Sequence, residues 1–186
     1  MLKNILKMKS KNIKGQAWIE TVVYTLIMLS IIGIVIAVAK PALEEKQDKL
    51  FIEQSVDTLN VIDSKIEELL IYGPGNTREI TELGIKKGKL TINCSGNKIE
   101  FEMDSKYAYS EPNVTVKRGK IDVFTQKKAN SYNIKLSISY LKEKIKMTYD
   151  NEQKNREISA APTPYKMYIR NANYTEKIYQ IDFSLV

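Results

Sequence analysis

The chain has 186 residues, 43% of them hydrophobic and 27% charged, with eight glycines and five prolines. This is the composition of a folded domain, not of a disordered or low-complexity segment. It has no histidine and one cysteine, which excludes nucleophile–histidine catalysis, most metal sites and any internal disulfide framework. No enzymatic activity, metal or cofactor is expected.

The net charge of +7 does not describe a basic domain. Residues 1–15 carry Lys3, Lys7, Lys9, Lys11 and Lys14 and no acid. Without those five, 24 basic residues face 22 acidic ones. A nucleic-acid binder needs a basic face on its folded part, so no nucleic-acid partner is expected.

Residues 21–39 follow without a single charge, bounded by Glu20 and Lys40. At 1.5 Å per residue, a helix of that length crosses most of a hydrocarbon core about 30 Å thick. Trp18 and Tyr24 stand near its start, where aromatic rings favour the membrane interface. The lysine-rich flank predicts a cytoplasmic N-terminus and an outside location for the rest. A buried core helix of a soluble protein fits this run poorly, because its leader is purely basic.

The leader is not an ordinary secretory signal. The apolar run passes into Lys40-Pro41-Ala42-Leu43 without a small-residue cleavage site. A junction of another kind lies ahead of it, at Lys14-Gly15-Gln16, with Glu20 five residues into the new chain. The segment KGQAWIETVVYTLIML resembles the class III signal of type IV pilins, in particular of archaeal pilin-like proteins. The resemblance covers residues 14–39; beyond them it is one of architecture alone. It implies that a prepilin peptidase cuts after Gly15 on the cytoplasmic side, that Lys14 and Gly15 end the leader, and that Gln16 opens the mature chain. It implies further that Glu20 is the acid of the assembly helix. An ionised group at the edge of a bilayer is costly and calls for a partner. The Gln16 ammonium of a neighbouring copy would supply one and fix the register between copies; snorkelling of Glu20 to the headgroups is the alternative.

Pro41 is expected to kink the helix or loosen one turn. Residues 42–72 contain no Gly or Pro. Leu43, Leu50, Phe51, Val56, Leu59, Ile62, Ile66, Leu69 and Leu70 recur there at spacings of three, four and seven, an amphipathic helix with one face to bury. Tyr72-Gly73-Pro74-Gly75 should end it. Gly33 and Ser30 suit close helix contact and equally suit ordinary membrane-helix composition.

From Ile80 the apolar period becomes two. Leu90, Ile92 and Cys94 alternate with polar residues, as do Ile99, Phe101 and Met103, then Val114 and Val116, then Ile121 and Val123. Tyr132, Ile134, Leu136, Ile138 and Tyr140 form the longest run. Ile145, Met147 and Tyr149 come next, then Tyr165, Met167 and Ile169, and Tyr179, Ile181, Phe183 and Leu185 close the chain. Seven or eight short strands suggest an antiparallel sandwich or curled sheet.

The expected fold is therefore α+β. A long N-terminal helix, half transmembrane and half amphipathic, precedes an antiparallel β-rich head, the ladle-like architecture of type IV pilins. The expected divisions are 1–15 leader, 16–40 assembly helix, 41–72 amphipathic helix and 73–186 extracellular head. Cys94 reads as a core residue, Asp150-Asn151-Glu152 as a solvated turn and not a calcium loop, and the tyrosines as strand residues. Asn93, Asn113 and Asn173 match the N-glycosylation pattern, Asn93 least favourably because Cys94 beside it should be buried. The expected partners are the prepilin peptidase, the membrane before assembly, and further copies or other pilins in a cell-surface filament used for adhesion or surface contact. The competing expectation is a single-pass anchored β-domain that binds a partner without assembling.

Overall fold

A computed structural model describes the backbone from Leu2 and the side chains from Ala17 onward. One helix, α1 (Leu2–Tyr72), is followed by ten strands. These are β1 (Thr77–Leu83), β2 (Lys89–Asn93), β3 (Lys98–Ser105), β4 (Thr115–Arg118), β5 (Ile121–Lys127), β6 (Tyr132–Ser139), β7 (Ile145–Tyr149), β8 (Arg156–Ser159), β9 (Tyr165–Thr175) and β10 (Ile178–Leu185). The fold is α+β, a long apolar N-terminal helix followed by β-rich sheets. The helical assignment runs unbroken through Pro41.

The chain divides into two compact units, the first ending at Glu44 and the second Glu45–Val186. In the second unit the helix buries Ile52, Val56, Leu59, Ile62, Ile66 and Leu69 in one core with both sheets. Those positions recur every three or four residues, so one stripe of α1 faces inward. The stripe is offset from the expected one. Leu43 and Leu50 are 58% and 60% exposed, Phe51 and Leu70 are half-buried, and Ile52 takes an inner place. The cause is angular: Leu50 lies roughly 100° from Phe51 and 200° from Ile52 around the helix, and only the side of Ile52 meets the strands.

The stop at Tyr72 is built from identifiable bonds. Gly73 adopts φ +81° and its N–H donates to Leu69 O at 3.0 Å, so the helix ends on a left-handed residue. Asn171 Nδ2, fully buried on β9, donates to the same carbonyl at 3.0 Å. Asn76 Nδ2 donates to Tyr72 O at 3.0 Å and Gly73 O at 3.1 Å. Leu69 O and Tyr72 O, two of the carbonyls left over by the helix end, are thus used, and the end is tied to the sheet.

The four-stranded sheet has the order β1-β9-β10-β7, and the six-stranded one β4-β5-β6-β3-β2-β8. Pairing is antiparallel except between β10 and β7, which are parallel, with Ile181 opposite Met147 and Phe183 opposite Tyr149. Strict alternation sets register in the larger sheet: Leu90 opposes Phe101, Ile99 opposes Ile138 and Met103 opposes Ile134, all buried. Two strands carried little signal. β8 buries only Ile158, and β1 buries only Leu83. Val114 and Val116 depart from the expected inward alternation, at 44% and 41% exposed, because Val116 lies on β4, a four-residue edge strand whose residues all face solvent, and Val114 lies just before it.

Candidate functional site

The sequence places its functional residues at the helix start. Lys14, Gly15 and Gln16 lie ahead of the first described side chain, that of Ala17, so their surroundings are outside the described part. Glu20 is described, on α1, with an exposed side chain. Every side chain from 17 to 43 is exposed. The described helix Ala17–Tyr72 contains a stretch long and apolar enough to cross a membrane. Its hydroxyls are locally satisfied: Thr21 donates to Ala17 O at 2.9 Å, Thr25 to Thr21 O at 2.8 Å and Ser30 to Leu26 O at 2.8 Å. Back-bonding of this kind lets hydroxyls sit in hydrocarbon without an orphaned donor. A Cβ on Gly33 would meet nothing within 4 Å.

The three glycosylation patterns differ in surroundings. Asn93 is half-buried and both ends of its amide are engaged, Nδ2 donating to Glu100 Oε2 at 3.1 Å and Oδ1 accepting from Gly96 N at 2.8 Å. Asn113 is exposed at φ +63° in the loop between β3 and β4, its N–H donating to Thr125 O at 2.7 Å. Asn173 is exposed on β9. Cys94 is fully buried, and burial pushes its thiol up to about 11, which leaves no thiolate for chemistry at neutral pH. Among the described residues no group of His, Cys, Asp or Glu is arranged to hold a metal ion.

Asp150 and Asn151 both have positive φ and form a tight turn closed by the Tyr149–Glu152 bridge. A carboxylate the sequence did not single out stabilises it. Asp182, 5% exposed, accepts from Thr148 Oγ1 and from Asn151 N, each at 2.7 Å, while the Arg170 guanidinium lies 3.6 Å away.

Two further buried carboxylates tie the helix to the strands. Asp48, 4% exposed, accepts from Lys106 N at 2.7 Å and pairs with Lys87. Asp63 accepts from the fully buried Tyr140 hydroxyl at 2.9 Å and lies 3.3 Å from Lys120 Nζ. Burial, reinforced by the Asp63 charge, raises the Tyr140 hydroxyl far above its ordinary range, so it stays a donor. Lys120 also bonds Glu67 and faces Glu143 at 3.8 Å; the Glu67 bond and these carboxylates raise its ammonium. Glu67 and Glu68 of α1 are thus each held in ion pairs with lysine or arginine. Glu68 accepts from Lys65 at 3.0 Å and from Arg78 at 2.7 Å.

No family model, curated protein or solved structure matches the chain.

Two of the surface cavities among the described residues carry several charged side chains. One, of about 580 Å³, lies on the polar face of the six-stranded sheet. Its lining holds four acids and two lysines, with Lys89 on Glu157 at 3.2 Å and Lys135 on Glu102 at 3.8 Å, while Glu100 meets Lys98 at 2.6 Å and Asp122 lies 3.9 Å from Lys117. The other, of about 390 Å³, lies where Lys49 and Glu53 of α1 meet Tyr107, Tyr109 and the β4 residues Lys117 and Arg118. No sequence pattern points to it. Its lining runs from Lys49 of α1 to Val123 of β5, and both tyrosines sit in the loop between β3 and β4, where strand propensity explains nothing.

Proposed function

We propose that this chain is a structural subunit, major or minor, of an archaeal type IV pilus-like surface filament. It assembles through its N-terminal apolar helix and serves adhesion or surface contact. One observation supports this above others. Residues 21–39 are uncharged, helical and exposed along their whole length, while the same helix beyond Glu45 is packed into a β-rich unit. A chain built this way has an apolar segment that only lipid or sister helices can cover.

In this reading the basic leader stays cytoplasmic, the prepilin peptidase removes residues 1–15, and the β-rich unit stands outside the cell. The chain waits in the membrane until the apolar helix transfers from lipid to its neighbours. Glu20 sets the axial register by pairing with the Gln16 ammonium of an adjacent copy. Asn113 and Asn173 carry any glycan, since their side chains face solvent while Asn93 is engaged on both sides of its amide.

The test runs in cells, with leader removal and sheared surface filaments measured side by side. Glu20→Gln leaves the cut site untouched, so processing proceeds, but filament yield falls sharply. Glu20→Asp keeps the charge with a shorter reach and gives an intermediate yield. Wild-type yield from Glu20→Gln overturns the register role. A processed, abundant wild-type protein without filaments favours the anchored β-domain instead.

A further inference from the structure

The end of the β-rich unit at which α1 enters it carries more positive charge than the fold uses. Asp48, 4% exposed, joins three elements there. It pairs with Lys87 of the loop before β2 and accepts from Lys106 N, just after β3, at 2.7 Å. Lys106 Nζ in turn donates to Asn130 O at 3.1 Å, which brings in the turn between β5 and β6. Lys49, beside Asp48 on the helix, holds its Nζ 5.5 Å from the centre of the Tyr107 ring. Segments far apart in sequence thus meet around one buried carboxylate.

The charge at this end is unbalanced. Lys46, Lys49, Lys86, Lys106 and Lys127 are all exposed, and among the described residues none of them has a carboxylate within ion-pair distance. The acids nearby are engaged elsewhere. Asp48 holds Lys87 and the Lys106 amide, Asp104 holds Lys128 at 2.7 Å, and Glu53 holds Arg118 at 2.8 Å. Glu45, exposed beside Lys46, offsets one lysine. Like charges gathered on one surface repel each other and weaken a compact unit, and an opposing anion reverses that effect.

The tether says which anion is at hand. Lys40 closes the uncharged run and stands eight residues before Asp48. Eight residues of helix rise about 12 Å, close to the Debye length of roughly 8–10 Å at physiological salt. A bilayer around residues 21–39 therefore stays within electrostatic reach of these lysines. We propose that this lysine-bearing end docks on an anionic lipid headgroup surface, so that the β-rich unit rests on the membrane until the helix leaves it. The tether raises the local concentration of lipid phosphate and of no soluble anion. Lysine suits the contact, because an ammonium on a flexible stem meets phosphate as a point charge without a fixed geometry. The docking rests on the membrane-spanning part of the reading above and is independent of filament assembly.

The experiment uses the full chain in lipid nanodiscs that carry a trace of lipid with a neutral gadolinium chelate on its headgroup. Relaxation enhancement of backbone amide signals is compared between phosphatidylcholine discs and discs that also contain phosphatidylglycerol. In the anionic discs the enhancement at Lys86, Lys106 and Lys127 should rise about threefold or more, and high sodium chloride should abolish the rise. Glu176 and Lys177 should stay low in both, because their strand β9 is tied through Asn171 to Leu69 at the other end of α1. Lys46→Gln combined with Lys127→Gln removes two exposed cations and should cut the rise by about half or more, with the melting temperature unchanged. Equal enhancement in the two kinds of disc overturns the proposal, as does an undiminished rise in the double variant. Loss of the rise in inorganic phosphate, but not in sodium chloride of equal ionic strength, overturns it too and assigns the lysines to a small anion. Entry into the discs is scored separately. A chain that stays out overturns the spanning reading along with the docking, whereas a chain that enters without a rise overturns the docking alone.

Discussion

At the scale of single residues, buried polar groups fasten the helix to the strands. Tyr140 and Asp63 are far apart in sequence, yet their 2.9 Å bond lies inside the core. Tyr140→Phe keeps the ring, removes the donor and leaves Asp63 with Lys120 alone; a loss of about 1–2 kcal/mol in chemical denaturation is expected. Glu68 contributes to the pH dependence, alongside Glu100 and Asp104, whose carboxyls are also held below their ordinary values. Hydrogen bonds from Lys65 and then Arg78 hold the Glu68 carboxyl below the ordinary value of 4.5. Between the folded and unfolded values the unfolded chain binds more protons, so stability rises with pH across that window. The contribution is present above about pH 4.5 and is lost as pH falls through the lowered folded value. Melting temperature should drop on acidification from pH 6 to pH 3, and Glu68→Gln should flatten part of that drop. None of these pairings was legible in the sequence. A charged residue on an amphipathic helix looks solvated until the fold supplies a distant partner.

At the scale of elements, burial decides where a charge can be placed. Ile66 is 1% exposed and Leu50 60%. Ile66→Asp puts an unpaired carboxylate in the seam and should cost several kcal/mol. Leu50→Asp should change the stability of the unassembled chain by no more than about 0.5 kcal/mol. Equal melting of the two variants by circular dichroism would mean that α1 does not pack on this side. The turn before β2 has its own constraint. Gly88 has φ +83°, and an added Cβ would lie 2.4 Å from Glu102 O and 2.6 Å from Met103 Cβ. Gly88→Ala should therefore destabilise by more than the ~1 kcal/mol of a plain left-handed alanine, because the neighbours are backbone and core and cannot swing aside. The period of two exposed β2, β3, β5, β6, β7, β9 and β10, since each buries alternate apolar side chains. It failed for β8, where one isoleucine makes no period, and for β4, where an edge strand keeps the pattern without the burial. The helix face was legible in kind, but its orientation was not. Leu43 and Leu50 satisfy the spacing as well as the buried residues do, and only the position of the strands separates them.

At the scale of the whole molecule, the order of chemistry along the chain supports the account: a basic leader, an uncharged span, then an amphipathic helix inside a β-rich unit. The α+β organisation was readable because each part has its own period, and the parallel β7–β10 pair was not, because strand neighbours separated by 28 residues leave no local trace. The cavity of Tyr107, Tyr109 and Arg118 belongs to the same category, since tertiary structure alone brings it together. The filament reading depends on where the leader ends, and that is measured most directly by intact-mass and N-terminal peptide analysis of the native protein, beside a Gly15→Val variant. The account predicts a mature chain beginning at Gln16, and an unprocessed Gly15→Val chain, because a pocket shaped for a small residue excludes a branched one. A native protein that retains Met1, or one that begins after Ala39, would contradict it.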